Sequence, residues 1–193
     1  QIDPRIPHTL MKDPTILILG LSGDGVTKTA RELGEKVYGV EINPAVVSLQ
    51  TNELVPLNTN SYQDIDVTIL DARSYIEQSD LKYDMITLLN THLARGRTEG
   101  RSPSPEYLFT AEALHDYLDH LTDRGIVLVE EPVSNPRREP PVWKLLRTMR
   151  QVLLERGSTP DLPPENWSRC NVRLGPQRGG HMARNRHTAE QII

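Results

Sequence analysis

Thr15–Pro44 reads TILILGLSGDGVTKTARELGEKVYGVEINP. Ile16 to Leu19 is a short apolar, β-branched run of the kind a fully buried parallel strand needs. Gly20, Gly23 and Gly25 follow in a turn that feeds a helical pattern from Thr27 to Leu33. A second β-rich run, Lys36 to Ile42, carries Glu41 about 20 residues after the first glycine, the spacing of the ribose-binding acid in nucleotide-binding βαβ units. Glycines let backbone approach a ligand, a helix start offers N–H groups to it, and a carboxylate accepts both hydroxyls of a ribose. The competing reading is a glycine turn that only packs a helix on a strand, and Glu41 weighs against it. The order here is G-x-x-G-x-G rather than the dinucleotide fingerprint, and counting from Gly23 puts Lys28 where the third glycine or alanine belongs. A nicotinamide-dependent oxidoreductase is therefore the weakest functional reading.

Working outward, Pro4, Pro7 and Pro14 make residues 1–14 an extended lead-in. Pro44 opens a short helix to about Leu49, and Thr51 to Gln63 reads as polar and irregular. Asp66 to Leu70 is a third strand, ending at Asp71-Ala72-Arg73, with a helix from Ser74 to Ser79. Tyr83 to Leu89 is a fourth buried strand. Asn90 to Pro105 is the longest segment without periodicity; it leaves the carboxyl end of a strand, where a substrate loop or lid belongs. Tyr107, Leu108, Ala111, Leu114, Tyr117, Leu118 and Leu121 give one amphipathic helix over 106–121. Gly125 ends the connection to a fifth strand, Ile126 to Val129. Val142 to Leu154 is a further helix, with Gly157 as its C′ residue. Trp167 to Leu174 reads as a strand outside the parallel set, and 175–193 is a tail without an assigned element. Five βα units with right-handed crossovers predict an α/β fold, a doubly wound, mostly parallel Rossmann-like sheet in a single domain over 1–193.

The 193 residues suffice for one real core, and 37% apolar residues with nine aromatics fit a soluble α/β protein. No apolar run reaches bilayer length and no signal-peptide pattern is present. The single Cys170 has no internal partner, which points to a reducing, cytoplasmic setting. Beginning at Gln1 fits a piece of a larger protein, membrane-linked through a segment elsewhere, or a chain without its own start. Residues 1–135 hold 11 Lys+Arg against 21 Asp+Glu, and 136–193 hold 11 against 5. A basic last third can meet nucleic acid or an anionic membrane surface, but with little aromatic interleaving it reads better as a solvated face docked on an acidic body.

Together, ILILGLSGDG, VYGVEINPAVV, DVTILDARSYI, KYDMITLL and PEYLFTAEALHDYLDHLTDRGIVLV resemble the class I S-adenosylmethionine-dependent methyltransferase fold. Within it they are most similar to the spermidine synthase-like (polyamine aminopropyltransferase) branch, over roughly Pro14 to Pro132. The resemblance implies S-adenosylmethionine or its decarboxylated form as co-substrate and a small-molecule amine or related acceptor. It implies that Gly20, Ser22, Gly23 and Gly25 turn under the amino-acid or aminopropyl portion, with Asp24 facing its amino group. Glu41 would hold the ribose and Ile42 would pack on adenine. Asp71 would accept the adenine amino group while Ala72 donates its backbone N–H. Charged hydrogen bonds of this kind are the strong ones.

That branch carries an aspartate at the end of strand four, where this chain has Leu89-Asn90-Thr91-His92. Neither leucine nor an amide can take a proton near neutrality. The candidates left there are His92, a base that titrates near working pH, and Asn90, a polar group counted with both the catalytic and the donor-binding residues. Glu130 and Glu131 close strand five; His115 and His120 read as surface residues of the amphipathic helix. His181 and His187 show no partner pattern, and one cysteine without nearby histidines gives no metal site. Gly20 to Asp24 fails the nucleophile-elbow pattern at its last position. The branch's small N-terminal β-domain, which helps assemble dimers, has no counterpart before Thr15, so a homodimer stays open. Two readings remain from different classes: a methyl or aminopropyl transferase, and a catalytically impaired binding or interaction module of a larger protein.

Overall fold

The computed structural model describes residues 11–21, 25–34, 36–58, 61–88, 105–132, 140–157 and 169–174. Strands β1 (Thr15–Leu19), β2 (Lys36–Glu41), β3 (Ile65–Ile69), β4 (Tyr83–Leu88) and β5 (Leu121–Pro132) are parallel, and β6 (Arg169–Leu174) runs antiparallel along β5. Their order is β3-β2-β1-β4-β5-β6. Helices α1 (Gly25–Leu33), α2 (Pro44–Ser48), α3 (Val55–Asn58), α4 (Ala72–Gln78), α5 (Ala111–Asp119) and α6 (Pro140–Glu155) link and cover the strands. The expected doubly wound sheet is present, with the last strand outside the parallel set.

The apolar strand runs divide by alternation onto two faces, as a side-chain period of two requires. Leu17, Leu19, Val40, Ile86, Leu88 and Val127 join Ile76 of α4, Leu114 and Tyr117 of α5 and Met149 and Val152 of α6 in one core. Ile16, Ile18, Val37, Met85 and Ile126 join Ala30, Leu21 and Tyr62 in the other. At the amino ends of the strands, Asp84 holds three strands together. Its Oδ2 accepts from the Thr15 N–H at 3.0 Å and its Oδ1 from the Thr122 hydroxyl at 2.6 Å. The Tyr83 hydroxyl meets those of Tyr75 at 3.2 Å and Ser79 at 3.1 Å.

Several expected boundaries change. The single helix expected over 106–121 is instead a 3₁₀ turn, Pro105–Phe109, followed by α5. Thr110 separates the two: its backbone is extended and its hydroxyl accepts from the Ala113 N–H, an N-cap that starts a new helix. Over one turn, 3₁₀ and α periods put apolar residues on the same side, so spacing alone cannot tell them apart. The stretch read as irregular after Thr51 holds a π-type turn, Leu49–Glu53, and α3. Gly125 does not end a connection but lies inside β5, where the register shifts against β4. A Cβ there would sit 2.8 Å from both Leu121 Cβ and the Tyr83 carbonyl oxygen. Gly157 meets its expectation: its φ of 80° and its bond to the Leu154 carbonyl close α6.

Candidate functional site

The chain runs outward from β1 to β2 and β3, then returns to begin the other half at β4, so the topological switch lies between β1 and β4. Open α/β sheets take ligands outside the carboxyl ends of strands at such a point. Register aligns Leu19 with Val40, and Val40 with Thr68. Glu41 pairs with Ile69 as the last residues of β2 and β3, and the residues that leave these three strand ends, Gly20 and Leu21, Ile42, and Leu70 and Asp71, lie side by side. Gly20 and Leu21 both donate to the Val40 carbonyl, at 2.9 and 3.1 Å, and Leu70 donates to the Glu41 carbonyl at 3.2 Å.

Gly20 has a φ of 88°, in the left-handed region that a side chain disfavours. Gly39 supports the same turn from the next strand. A Cβ at Gly39 would lie 2.4 Å from Leu21 Cδ1, so the buried Leu21 seats directly on the glycine. Sequence reading passed over Gly39, although a glycine inside a strand pattern signals such an approach.

Glu41 is half-buried, and its Oε1 accepts from the Asn43 N–H at 2.9 Å. Asn43 in turn caps α2 through its bond from the Ala45 N–H. The carboxylate is thereby tethered at the strand end by the turn after it. Beside it Ile42 is 61% exposed, and Ile69 at the end of β3 is 50% exposed. Large apolar side chains left in water at strand ends are available for contact with an apolar group.

Asp71 is the N-cap of α4: its Oδ1 accepts from the N–H groups of Arg73 at 3.0 Å and Ser74 at 3.1 Å. Its Oδ2 accepts from the Tyr107 hydroxyl at 2.6 Å. Burial alone would raise this carboxyl, but the bonds from Tyr107, Ser74 and Arg73 outweigh it and hold the group below the usual carboxylate range. Tyr107 is pushed up to about 12, by burial first and then by its bond to Asp71. Ala72 is the first residue of α4, so its N–H has no acceptor within the helix. Tyr107 had been assigned to the apolar stripe of a helix. It instead belongs to the 3₁₀ turn and reaches the strand-end carboxylate.

Ser22, Gly23, Asp24, Leu89, Asn90 and His92 lie outside the described residues, as do His181 and His187. Gly25 opens α1. Glu130 and Glu131 pair through their backbones with Asn171 and Cys170 of β6. The surface reading of two histidines is corrected. His120 lies between the carbonyls of Asp116, at 2.7 Å, and Ser79, at 2.8 Å, half-buried at the amino ends of the strands. His115 accepts from Arg156 Nε at 3.0 Å and meets Glu155 at 3.1 Å, tying α5 to the end of α6. Both are structural joints away from the strand carboxyl ends. Among the described residues no cluster of His, Cys, Asp or Glu could hold a metal ion, and no helix is long and apolar enough to cross a membrane.

Neither family models nor curated proteins match the sequence. Solved structures do match the fold. Spermidine synthase in complex with the transition-state analogue AdoDATO superposes with a TM-score of 0.55 at 22% identity, over 76% of this chain and 48% of that one. The fold is that of the class I S-adenosylmethionine-dependent methyltransferases. Ribosomal protein L11 methylase from Lactobacillus delbrueckii subsp. bulgaricus gives 0.58 at 16% identity, over 90% of this chain and 76% of that one. Precorrin-6y C5,15-methyltransferase from Geobacter metallireducens gives 0.52 at 12% identity, over 76% and 68%. The likeness does not single out the spermidine synthase branch, since a methylase aligns over more of this chain. This chain spans about half the length of that spermidine synthase.

Proposed function

We propose that the chain is a transferase domain. It binds S-adenosylmethionine or decarboxylated S-adenosylmethionine and transfers a methyl or aminopropyl group to a small amine-type acceptor in the cytoplasm. The observation that carries this is the row of Gly20, Glu41 and Asp71 at three adjacent strand ends, with Ile42 exposed beside them. Two oriented carboxylates suit the hydroxyls of a ribose and the amino group of adenine, and Ile42 suits the ring face. Ser22, Gly23, Asp24 and Gly25 would complete the turn under the donor's tail.

When bound, the donor supplies a carbon activated by a sulfonium and a neutral thioether as leaving group. The chain's own part is binding and orientation, which can supply much of the acceleration of an in-line displacement. The acceptor amine gives up a proton on attack, and His92, with Asn90 near it in sequence, is the proposed group to take it.

Calorimetric titration with S-adenosylmethionine, decarboxylated S-adenosylmethionine, methylthioadenosine and NAD in parallel tests this. Binding of at least one of the first three, with NAD excluded, is expected. Preference for the decarboxylated donor assigns aminopropyl transfer, and preference for S-adenosylmethionine assigns methyl transfer. Leu89-Asn90, where the aminopropyltransferases carry an aspartate, favours a second reading: a binding module without turnover. Donor binding with no transfer to any amine in a polyamine panel would support that second reading.

A further inference from the structure

We infer that Tyr107 sets base specificity in this site, holding Asp71 as an oriented, acceptor-only carboxylate that takes a 6-aminopurine and refuses a 6-oxopurine. The inference rests on the donor-binding reading above and gives a role to a residue that reading does not use.

The geometry distributes the lone pairs of Asp71 unequally. Oδ1 is occupied by two backbone donors, from Arg73 and Ser74. Oδ2 receives one donor, the Tyr107 hydroxyl at 2.6 Å. A carboxylate oxygen accepts about two hydrogen bonds, so one position on Oδ2 is left for a ligand. With three donors already aimed at it, the carboxylate is fixed in plane and stays ionised, in line with the downward shift of its titration. An ionised carboxylate accepts and cannot donate. It can therefore bond an exocyclic amino group but meets a 6-oxo group as one acceptor facing another.

Tyr107 is itself placed from beneath. Leu108 and Phe109 are 5% and 6% exposed, and the buried Tyr117 hydroxyl donates to the Leu108 carbonyl at 3.0 Å. Tyr107 keeps 37% of its surface open, so a ligand can approach the pair. The pair also joins the end of β3 to the turn before α5, two elements 36 residues apart.

The test uses the whole chain, wild type and Tyr107→Phe, titrated calorimetrically with methylthioadenosine and with its 6-oxo counterpart methylthioinosine, alongside thermal unfolding. Phenylalanine removes one hydroxyl and keeps the ring. Wild type is expected to prefer the 6-amino nucleoside by at least about tenfold, since the 6-oxo group leaves the open acceptor position of the half-buried Asp71 without a donor. Tyr107→Phe is expected to weaken methylthioadenosine severalfold, because Asp71 loses the bond that fixes its orientation, and to lower the amino-to-oxo ratio by the same factor, since the 6-oxo group takes no bond from Asp71.

A pH series supplies a readout that a merely structural residue would not move. In wild type, affinity holds above the ordinary carboxylate range and falls only as pH drops through the lowered value of Asp71. In Tyr107→Phe that acid limb moves to higher pH. Asp71→Asn puts an amide donor on the same edge and is expected to shift preference towards the 6-oxo nucleoside. If Asp71→Asn shifts preference while Tyr107→Phe leaves affinity, ratio and acid limb unchanged, the inference about Tyr107 is overturned and the base-binding reading stands. If wild type binds neither nucleoside, the donor-binding reading falls and takes this inference with it.

Discussion

The two ends of the sheet use the same residue types for opposite purposes. At the amino ends, Asp84 bonds Thr15 through one oxygen and Thr122 through the other, and the Tyr83 hydroxyl is shared with Tyr75 and Ser79. Polar groups there satisfy one another, and Tyr83 is fully buried. At the carboxyl ends, Glu41 and Asp71 are half-buried, Ile42 and Ile69 stand in water, and a tyrosine holds a carboxylate that still has room to accept. One end holds the fold together, while the other leaves apolar surface and acceptor capacity unspent. Exposed apolar side chains beside oriented acceptors are what the proposed donor site would use.

Substitutions at the two ends should therefore separate stability from binding. The largest stability effect belongs to Tyr83→Ala, expected to cost about 3 kcal/mol or more, read by chemical unfolding. Methylthioadenosine affinity, measured on the fraction that remains folded, should be unchanged. Asp84→Ala leaves the Thr15 and Thr122 donors without their acceptor and should cost about 1–3 kcal/mol, again with affinity retained. Asp71→Ala removes a helix cap at about 1 kcal/mol and, unlike Asp84→Ala, should also abolish measurable nucleoside binding by calorimetry. Ile42→Ala should leave stability within about 0.5 kcal/mol of wild type while weakening binding severalfold. A reversal, with affinity lost at Asp84 and kept at Asp71, would break the comparison between the ends.

The parallel sheet was legible because its strands are short apolar runs bounded by glycines, prolines and acids, and buried strands need little else. The Gly20 turn and Glu41 were legible for the same reason: they sit in one continuous βαβ unit. What escaped was non-local. The bond between Tyr107 and Asp71 spans 36 residues, and nothing in the local period distinguishes a ring that reaches a carboxylate from one that faces a core. Thr110 held a visible signal, an N-cap residue inside an apolar stripe, and the period outweighed it. His115 and His120 read as surface because their partners, Glu155, Arg156 and the Ser79 carbonyl, come from other elements. Gly39 was hidden because its demand comes from Leu21 on the neighbouring strand.

On the proposed reading, the carboxyl ends of β1, β2 and β3 form one adenosine seat. The most direct measurement is a crystal structure of the chain with methylthioadenosine. The ribose hydroxyls are expected on Glu41, the adenine face on Ile42 and the adenine amino group on Asp71 beside the Tyr107 hydroxyl. A well-ordered nucleoside bound elsewhere on the molecule, with Glu41 and Asp71 untouched, would contradict it.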